Sequence, residues 1–340
     1  MFKSKKVFII GEAGVNHNGS LKKAIKLIDI AVKAKVDAIK FQTFLPGELT
    51  GKFTPNVNYL KKLKIKRSKL TSQLALTFKD FEKIKKYCER KKILFLSTPD
   101  GEKSLMFLKN KLKVKCIKIG SSEITNHDFL KLISKQNLPI ILSTGISNLN
   151  EVREAYNILK KNSRKKIVIL HCTSEYPAPL NEMNIKCIQT LKNSFKCDVG
   201  LSDHSLGFEA SIVAIALGAK VIEKHFTLSK RLKGPDHAAS LSPTELQFFV
   251  KTIRRAEKTL GDGVKKPTKS EIKNISGVRR GIVAKVKINK NSLITSKMIT
   301  YKRPFIGLAP KDTKKVLNHI TLKNFQVDEP IKVKHLKKSE

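Results

Sequence analysis

The sequence has no tryptophan, and its aromatic content is only 6%. Aromatic side chains are therefore not interleaved with its many basic residues, as stacking on nucleic-acid bases would require. Acidic residues are also scarce: 28 Asp and Glu stand against 69 Lys and Arg, a formal net charge of +41. Because the lysines are spread over nearly every predicted helix, we interpret the charge as a solvated surface that would steer anionic substrates. A basic nucleic-acid-binding protein is the alternative from another class.

The five cysteines are odd in number, and no CxxC pair occurs among them. We therefore expect reduced thiols in a cytoplasm rather than a disulfide framework. No segment approaches the roughly 20 apolar residues of a membrane span. The apolar run near the start is too short for a signal sequence and ends at Glu12, so it is predicted to be a first strand. These absences predict a soluble cytoplasmic protein.

Short β-type runs alternate regularly with helix-like segments. Strands are predicted at 6–14, 37–44, 93–99, 115–123, 138–145, 166–174, 198–205 and 220–227. Ser20 and either Asn148 or Asn150 are candidate helix N-caps, and Pro243 suits a first helical turn. Eight β/α units in about 260 residues predict an α/β fold, a (β/α)8 TIM barrel. An open doubly wound sheet is the alternative, but no GxGxxG follows the first strand.

The character of the sequence changes after Leu260. We predict a barrel over 1–262, a Gly/Pro/Lys-rich linker over 263–276 and a small β-rich domain over 277–340. A domain of about sixty residues is marginal alone, so we expect it to pack on a neighbour. The long interval 45–78 between the second and third strands is predicted to be a substrate-side loop.

Polar residues follow the predicted strands, where a barrel gathers them at its C-terminal mouth. They include Glu12, Lys40, Gln42, Thr98, Lys118, Ser121, Glu123, Ser143, Ser174, Tyr176, Ser202, His204, Glu223 and His225. Lys40 and Lys118 have apolar neighbours, and a buried lysine is costly unless an anion meets it. The pair, with hydroxyls on adjacent strand ends, suits a phosphate and a carboxylate. An internal salt bridge is the alternative for either lysine alone.

Two histidines end the seventh and eighth predicted strands, His204 in GLSDHS and His225 in VIEKHFT. Their imidazoles could converge on one divalent ion and leave positions open for water and substrate oxygens. With no cysteine alongside, Mn²⁺ and Zn²⁺ are the candidates from spacing. The alternative is two hydrogen-bonded loop residues. Asp203 is a candidate to orient His204 or a neighbour.

Together the motifs resemble the N-acetylneuraminate (sialic acid) synthase family, which includes legionaminic acid synthases. The resemblance rests on GEAGVNHNGS, IKFQTF, IKIGSSEITN, STGIS, HCTSEYPAP, GLSDHS, ALGAKVIEKHFTL and GPDHAASLSP, in that order along the chain. The tail segments GIVAKVKI, LITSKMIT and KRPFIGLAP resemble that family's C-terminal antifreeze-like (SAF) domain. The resemblance covers essentially the whole chain.

The resemblance implies an enzyme that condenses phosphoenolpyruvate with an N-acylated mannosamine-type sugar and releases phosphate. It implies that Lys118, Ser121, Ser143, Ser174 and Ser202 line the phosphate, with Lys40, Gln42 and Thr98 near the carboxylate. The resemblance also implies that Glu12 and Asp236 contact sugar hydroxyls and that Tyr176 is an active-site tyrosine. It makes His204 and His225 ligands of a divalent metal, for which we expect Mn²⁺, with Mg²⁺ and Co²⁺ as alternatives.

Two further residues complete the expected site. Glu123 is the candidate general acid or base, with a salt bridge to Lys118 or Lys40 as the structural alternative. Arg303, in KRPFIG, stands where the family's arginine contacts the sugar N-acyl group from the partner's C-terminal domain. The resemblance therefore implies a domain-swapped homodimer; the alternative for Arg303 is an ordinary basic surface residue.

The identity of the sugar depends on where this sequence departs from the family pattern. Asp100-Gly101 stands where the family usually has Phe-Asp, and Phe305 where Gly is usual. We expect an N-acetylneuraminate synthase that uses N-acetylmannosamine. The alternative is an N,N'-diacetyllegionaminic acid synthase that uses 2,4-diacetamido-2,4,6-trideoxymannose, with a pseudaminic acid synthase less favoured. A degenerate, binding-only member is disfavoured because the proposed ligands and lysines are intact.

Overall fold

A ring of parallel strands forms the first of two units. The computed structural model describes residues 6–51, 53–55, 57 and 65–339. The chain divides into Met1–Gly261 and Asp262–Glu340. The eight strands described in the first unit are β1 Phe8–Gly14, β2 Ala38–Phe44, β3 Leu94–Asp100, β4 Ile117–Ile119, β5 Ile140–Ser143, β6 Ile167–Cys172, β7 Asp198–Asp203 and β8 Val221–His225. They pair in the order β3-β2-β1-β8-β7-β6-β5-β4, and β3 and β4 lie side by side at the seam. The predicted (β/α)8 barrel is confirmed.

Helices surround the ring, and five of the ten named here begin at a residue whose side chain caps them. They are α1 Leu21–Ala34, α2 Pro46–Leu49, α3 Arg67–Leu74, α4 Phe78–Arg90, α5 Glu102–Met106, α6 His127–Ser134, α7 Leu149–Asn162, α8 Cys187–Phe195, α9 Glu209–Ala216 and α10 Pro243–Thr259. Ser20 caps α1, as predicted. Asn148, rather than Asn150, caps α7, because it forms a reciprocal capping box with Glu151. Pro243 is the first residue of α10, where its missing N–H costs nothing.

Strands β4 to β8 end before the residue that the sequence predicts, whereas β1 and β2 end where predicted and β3 ends one residue later. The fourth is the clearest case: 115–123 was predicted, but β4 ends at Ile119 and Ser121–Glu123 form a 3₁₀ turn. This turn carries the chain out of the sheet and over the barrel mouth. The polar residues predicted to follow this strand therefore lie on a turn.

Alternate residues of each strand point into the barrel. These inward residues change from apolar to polar towards the C-terminal end of the strand. Towards the N-terminal end they form an apolar cluster of Ile10, Ala38, Leu96, Cys116, Ile141, Val168, Leu170 and Val221. Two residues further along each strand, the inward positions hold Glu12, Lys40, Thr98, Lys118, Ser143, Cys172, Ser202 and Glu223. A charged and hydroxylated layer thus lies directly on an apolar plug. The packed apolar side chains exclude water from the space below the polar layer.

The interval 45–78 contains two helices in its described part, α2 and α3, rather than only a loop. Residues 52, 56 and 58–64 of that prediction lie outside the described residues. All five cysteines are described, and none forms a disulfide. In the described part of the chain, no helix is long and apolar enough to cross a membrane.

The second unit is small and β-rich, with a core of its own. Helix α11 Lys269–Val278 begins at the capping box of Thr268 and Glu271, inside the segment predicted as a linker. Strand β9 Gly281–Ala284 pairs antiparallel with β10 Ile299–Lys302, and β11 His319–Thr321 with β12 Leu336–Lys338. The core comprises Ile282, Ala284, Ile288, Ile294, Ile299, Leu308, Val316, Phe325 and Ile331.

Candidate active site

A cavity of about 600 Å³ opens at the C-terminal mouth of the barrel. Of the predicted site residues, it is lined by Glu12, Lys40, Gln42, Thr98, Lys118, Ser121, Ser143, Ser174, Tyr176, Ser202, His204 and His225. These side chains come from all eight strands or the turns that follow them. The structure therefore brings together residues as distant in sequence as Glu12 and His225, as the end-of-strand argument predicts.

Lys40 is held by two carboxylates and a hydroxyl. Its Nζ lies 2.9 Å from Glu12 Oε2 and 3.8 Å from Glu223 Oε1, and it donates to Thr98 Oγ1 at 3.1 Å. Burial raises the pKa of Glu12 to about 7, although Lys40 opposes the shift. Burial alone would lower the pKa of Lys40, but Glu12 and Glu223 raise it. The lysine therefore enters any reaction charged.

Lys118 belongs to a pocket of small polar groups. Its Nζ donates to Ser143 Oγ at 2.6 Å and lies 3.8 Å from Glu223 Oε1. Burial lowers the pKa of Lys118. On the same side, Ser121 Oγ accepts from Gly145 N at 2.8 Å. The ammonium and hydroxyls converge as donors, the arrangement that a phosphate group requires.

Gly145 is required by the close approach of this pocket to the backbone. A Cβ built on it would lie 2.2 Å from Ser174 Oγ, 3.0 Å from Ser121 Oγ and 3.2 Å from Cys172 Sγ. A methyl group there would push into the space that the serine hydroxyls surround. The glycine therefore keeps the pocket open rather than relieving backbone strain.

The two predicted metal ligands are neighbours, with ring centroids 5.4 Å apart. His204 Nδ1 lies 2.7 Å from the carbonyl oxygen of Thr173, so this nitrogen donates; Nε2 is then an acceptor, and it lies 3.3 Å from Ser202 Oγ. His225 Nδ1 is buried and has no hydrogen-bond partner among the described residues. Burial, reinforced by His204, holds the pKa of His225 well below its usual value. Both rings line the same cavity.

Asp236 and Tyr176 stand beside the histidines. Asp236 Oδ2 lies 3.8 Å from His225 Nδ1, and burial raises the pKa of Asp236 to about 6. The Tyr176 ring packs against both histidines, with centroids 4.1 Å from His204 and 5.6 Å from His225. Gly14, with φ of +48°, passes beneath: its Cβ would lie 3.1 Å from Glu12 Oε1. A side chain at residue 14 would therefore press on Glu12 and would also be strained by the positive φ.

Several cavity residues received no binding or catalytic role from the sequence, among them Glu223, Asp100 and Cys172. Glu223 Oε1 lies 3.8 Å from both lysines and accepts from Ser202 Oγ at 3.1 Å. Burial, followed by the charge of Glu123, raises the pKa of Asp100 to about 7. Cys172 Sγ lies 3.7 Å from His204 Nδ1. The available signal was the period of two along each strand, which puts Glu223 and Cys172 on the inward face.

For Asp203 and Glu123, the structure shows other partners than the sequence analysis expects. Asp203 does not orient His204; it pairs with Lys224 at 3.0 Å and accepts from Ser205 and Ser211, because residue 203 faces outward between strand and helix. Glu123 accepts from Asn126 Nδ2 at 2.7 Å and does not line the described cavity, although its neighbours Ser121 and Ser122 do. The salt bridge of Glu123 to Lys118 or Lys40 is not formed, as both lysines pair elsewhere.

Arg303 belongs to the second unit. There its Nε donates to the Val278 carbonyl at 2.7 Å, and the residue is exposed. This bond uses one of five guanidinium donors and leaves the fork available for a further acceptor.

The barrel with its polar mouth, followed by a small β-rich unit, also matches known proteins in sequence. The NeuB family matches residues 27–265, and the SAF domain matches residues 279–337. The chain belongs to the NeuB family. It is similar to the N,N'-diacetyllegionaminic acid synthase of Campylobacter jejuni, with 46% identity over 96% of this chain and 99% of the relative. The enzyme of the same name from Legionella pneumophila is 40% identical over 91% and 89% of the two chains.

A solved structure carries the same similarity. The N-acetylneuraminic acid synthetase of Leptospira borgpetersenii, in complex with citrate, is 37% identical. The match covers 80% of this chain and 90% of that one, with a TM-score of 0.72. Both the fold and the family are therefore shared with proteins named as synthases of N,N'-diacetyllegionaminic acid or of N-acetylneuraminic acid.

Proposed function

We propose that this protein condenses phosphoenolpyruvate with an N-acylated amino sugar to form a nine-carbon 2-keto acid and phosphate. The observation that carries the proposal is the cavity itself. Two buried lysines and a group of serine hydroxyls lie beside two histidines, and the buried Nδ1 of His225 has no hydrogen-bond partner among the described residues. An anionic substrate would complete this arrangement.

Phosphoenolpyruvate fits the lysine side of the cavity. Lys118, Ser121, Ser143, Ser174 and Ser202 bind its phosphate, and Lys40, Gln42 and Thr98 bind its carboxylate. Both lysines are at most 3% exposed, where ammonium–anion contacts are stronger than in water. Glu223, bridging the lysines, limits the excess positive charge before the substrate binds.

His204 and His225 are the proposed ligands of a divalent cation, Mn²⁺ first, with Mg²⁺ or Co²⁺ as alternatives. The residues fit: His225 Nδ1 is an orphaned buried nitrogen, and the Thr173 carbonyl fixes the His204 tautomer. No cluster of three or more His, Cys, Asp or Glu ligands occurs in the described residues, so water and substrate oxygens would fill the other positions. A cation there would polarise the sugar aldehyde as a Lewis acid.

The protein's own groups then organise the reaction. C3 of phosphoenolpyruvate bonds to the aldehyde carbon, and the aldehyde oxygen takes a proton to become a hydroxyl. Water adds at C2, where positive charge develops, and loses a proton to a general base, for which Glu123 is our candidate. The tetrahedral intermediate releases phosphate by C–O cleavage into the Lys118 pocket. Glu12 and Asp236 hold the sugar hydroxyls, and Tyr176 closes the space above the histidines.

We also propose that the protein acts as a homodimer in which Arg303 of one copy binds the sugar N-acyl group in the cavity of the other. The support is the SAF match and the exposed guanidinium. Mixing His225→Ala and Arg303→Ala variants is the test. Mixed dimers should recover part of the activity, since one cavity would be complete. No recovery in confirmed mixed dimers would show that Arg303 acts within its own chain or not at all.

For the sugar, we propose 2,4-diacetamido-2,4,6-trideoxymannose and N,N'-diacetyllegionaminic acid as product, because two relatives of 46% and 40% identity have that name. N-acetylmannosamine is the second candidate, favoured by the 37% identical synthetase structure. Phosphate release should be measured with phosphoenolpyruvate and each sugar. Turnover with N-acetylmannosamine alone would reject the first choice, and release with neither sugar would reject the proposed function.

A further inference from the structure

Asp100, the last residue of β3, lies on the lysine side of the cavity. It follows Thr98 by two positions, so both side chains occupy the inward face of the strand, and both line the cavity. Strand β3 lies beside β4 at the seam of the barrel, where the turn Ser121–Glu123 follows β4. The carboxyl group of Asp100 is therefore placed beside the position proposed for phosphoenolpyruvate.

This carboxyl group has no partner of its own. Asp100 takes part in no ion pair and no side-chain hydrogen bond among the described residues. The nearby ammonium groups face other carboxylates: Lys40 Nζ lies 2.9 Å from Glu12 Oε2, and Lys118 Nζ lies 3.8 Å from Glu223 Oε1. Two lysine charges thus already face two carboxylates, and an ionised Asp100 adds a third negative charge to the same cavity.

The surroundings of Asp100 oppose its ionisation. Burial, followed by the charge of Glu123 on the adjoining turn, raises the pKa of Asp100 to about 7, and Lys40 on β2 and Lys118 on β4 offset the shift only in part. The carboxyl group is therefore close to half-protonated near neutral pH. An anion bound at the two lysines would oppose ionisation further, because a nearby like charge favours the neutral form of an acid.

We propose that Asp100 binds a proton together with phosphoenolpyruvate and, as a neutral carboxyl group, donates a hydrogen bond to the bound anion. The inference rests on the proposed function, which places the phosphate at Lys118 and the carboxylate at Lys40. An ionised Asp100 would repel either group, whereas the protonated form is a hydrogen-bond donor. The proton passes from solvent to Asp100 when the anion binds and returns to solvent when the site empties. The family usually has phenylalanine at this position, so we expect an effect on binding of the anion more than on kcat.

Calorimetry measures the transferred proton directly. Phosphoenolpyruvate is titrated into the protein at about pH 7.5, with Mn²⁺ present throughout, in two buffers of different ionisation enthalpy. The phosphate itself contributes little, because its second proton has a pKa of about 6. We expect wild type to take up about half a proton or more for each anion bound and Asp100→Asn to take up clearly less. Equal uptake by the two proteins would overturn the proposal.

The pH dependence of the affinity is the second measurement. The ionised fraction of Asp100 in the empty site grows above about pH 7, so the Kd for phosphoenolpyruvate should rise with pH, by up to about 10-fold per pH unit. The amide of Asp100→Asn has nearly the same shape and donates at every pH, so its Kd should change less steeply between about pH 7 and 8.5. A slope as steep as that of wild type would contradict the role of Asp100.

Glu48→Gln is the matched control for the loss of one negative charge. Glu48 belongs to α2, pairs with Lys103 at 3.4 Å and lies beside Gly101, but it does not line the cavity. This variant should keep the proton uptake and the pH slope of wild type. A loss of both as complete as in Asp100→Asn would assign the effect to the overall charge and overturn the proposal.

Failure of the proposed function gives a different result. Phosphoenolpyruvate that binds without proton uptake would contradict the role of Asp100 and leave the proposed function intact. Phosphoenolpyruvate that does not bind to wild type at all would reject the proposed function, and the inference about Asp100 would fall with it.

Discussion

Lys40 Nζ lies 2.9 Å from Glu12 Oε2, and both side chains are at most 3% exposed. The two residues are register partners on the neighbouring strands β2 and β1. A buried charge is tolerated only when it is paired, and removing one partner costs more than the pair contributes. The hydrogen bonding around this pair is incomplete. Glu223, whose Oε1 lies 3.8 Å from Lys40 Nζ, has its Oε2 buried with no hydrogen-bond partner among the described residues. The barrel mouth is thus an electrostatic arrangement that a bound anion and cation would complete.

Replacing Lys40 by Met should lower the free energy of unfolding by about 3–5 kcal/mol, because Glu12 loses its buried partner. Chemical denaturation measures this loss. The double variant Lys40→Met, Glu12→Gln should recover part of it, since no unpaired carboxylate remains at Glu12. Lys91→Met is the control: Lys91 pairs with Asp29 at the surface, so little change is expected. A fully stable Lys40→Met protein would contradict the pairing argument.

Gly145→Ala should raise the KM for phosphoenolpyruvate while the protein stays folded. The new Cβ would lie 2.2 Å from Ser174 Oγ, inside the proposed phosphate pocket. Gly120→Ala is a matched control at the same cavity, because its Cβ would meet nothing closer than 3.6 Å. Inhibition by inorganic phosphate should weaken in Gly145→Ala but not in Gly120→Ala. Equal KM values for the two variants would place the phosphate elsewhere.

The barrel was predictable because its information is local. Apolar runs of strand length alternate with capped helices, and polar residues such as Lys40 and His225 stand where the runs end. What the sequence alone did not show are contacts across the barrel. Glu223 pairs with lysines about a hundred and two hundred residues away, and Asp203 bonds Lys224 rather than His204. Such partners depend on the strand register and on which face of its strand a residue occupies. Local sequence patterns do not fix these two properties for each residue.

Chelation should remove turnover, and Mn²⁺ should restore it, if His204 and His225 hold the cation. Direct binding separates this from a general loss of activity: Mn²⁺ binding by calorimetry or electron paramagnetic resonance should be lost in His225→Ala. His127→Ala serves as the control, because His127 is an exposed histidine on α6. Full turnover in demonstrably metal-free protein, or unchanged Mn²⁺ binding in His225→Ala, would contradict the two-histidine site.

Glu123→Gln should lower kcat by about 10²–10⁴-fold and change the KM for phosphoenolpyruvate much less, if this carboxylate moves the proton of the attacking water. Because Glu123 accepts from Asn126 and Ser122 in the structure, the variant must be compared with Asn126→Ala, which removes the shorter of these two hydrogen bonds and keeps the carboxylate. Steady-state kinetics of both variants decide the matter. Near-normal kcat in Glu123→Gln would transfer the role to another carboxylate of the mouth, Glu12 or Asp100.

Stability should fall as the pH drops from about 6.5 to about 4, partly because of two buried histidines. Burial lowers the pKa values of His17 and His237 from 6.5 to about 4. Between these values the unfolded chain binds protons that the folded protein does not, so the contribution is complete above pH 6.5 and is lost as the pH falls. The difference corresponds to about 3 kcal/mol for each histidine.

Comparison with variants isolates this contribution from the general repulsion of a highly positive chain. His17→Asn keeps an acceptor for the Gly19 N–H, which His17 Nδ1 accepts at 3.1 Å, but cannot titrate. Its unfolding free energy should therefore depend less steeply on pH than that of wild type. His127→Asn, at the exposed histidine, should keep the wild-type slope. Parallel curves for all three proteins between pH 4 and 6.5 would show that His17 is protonated equally in the folded and unfolded states.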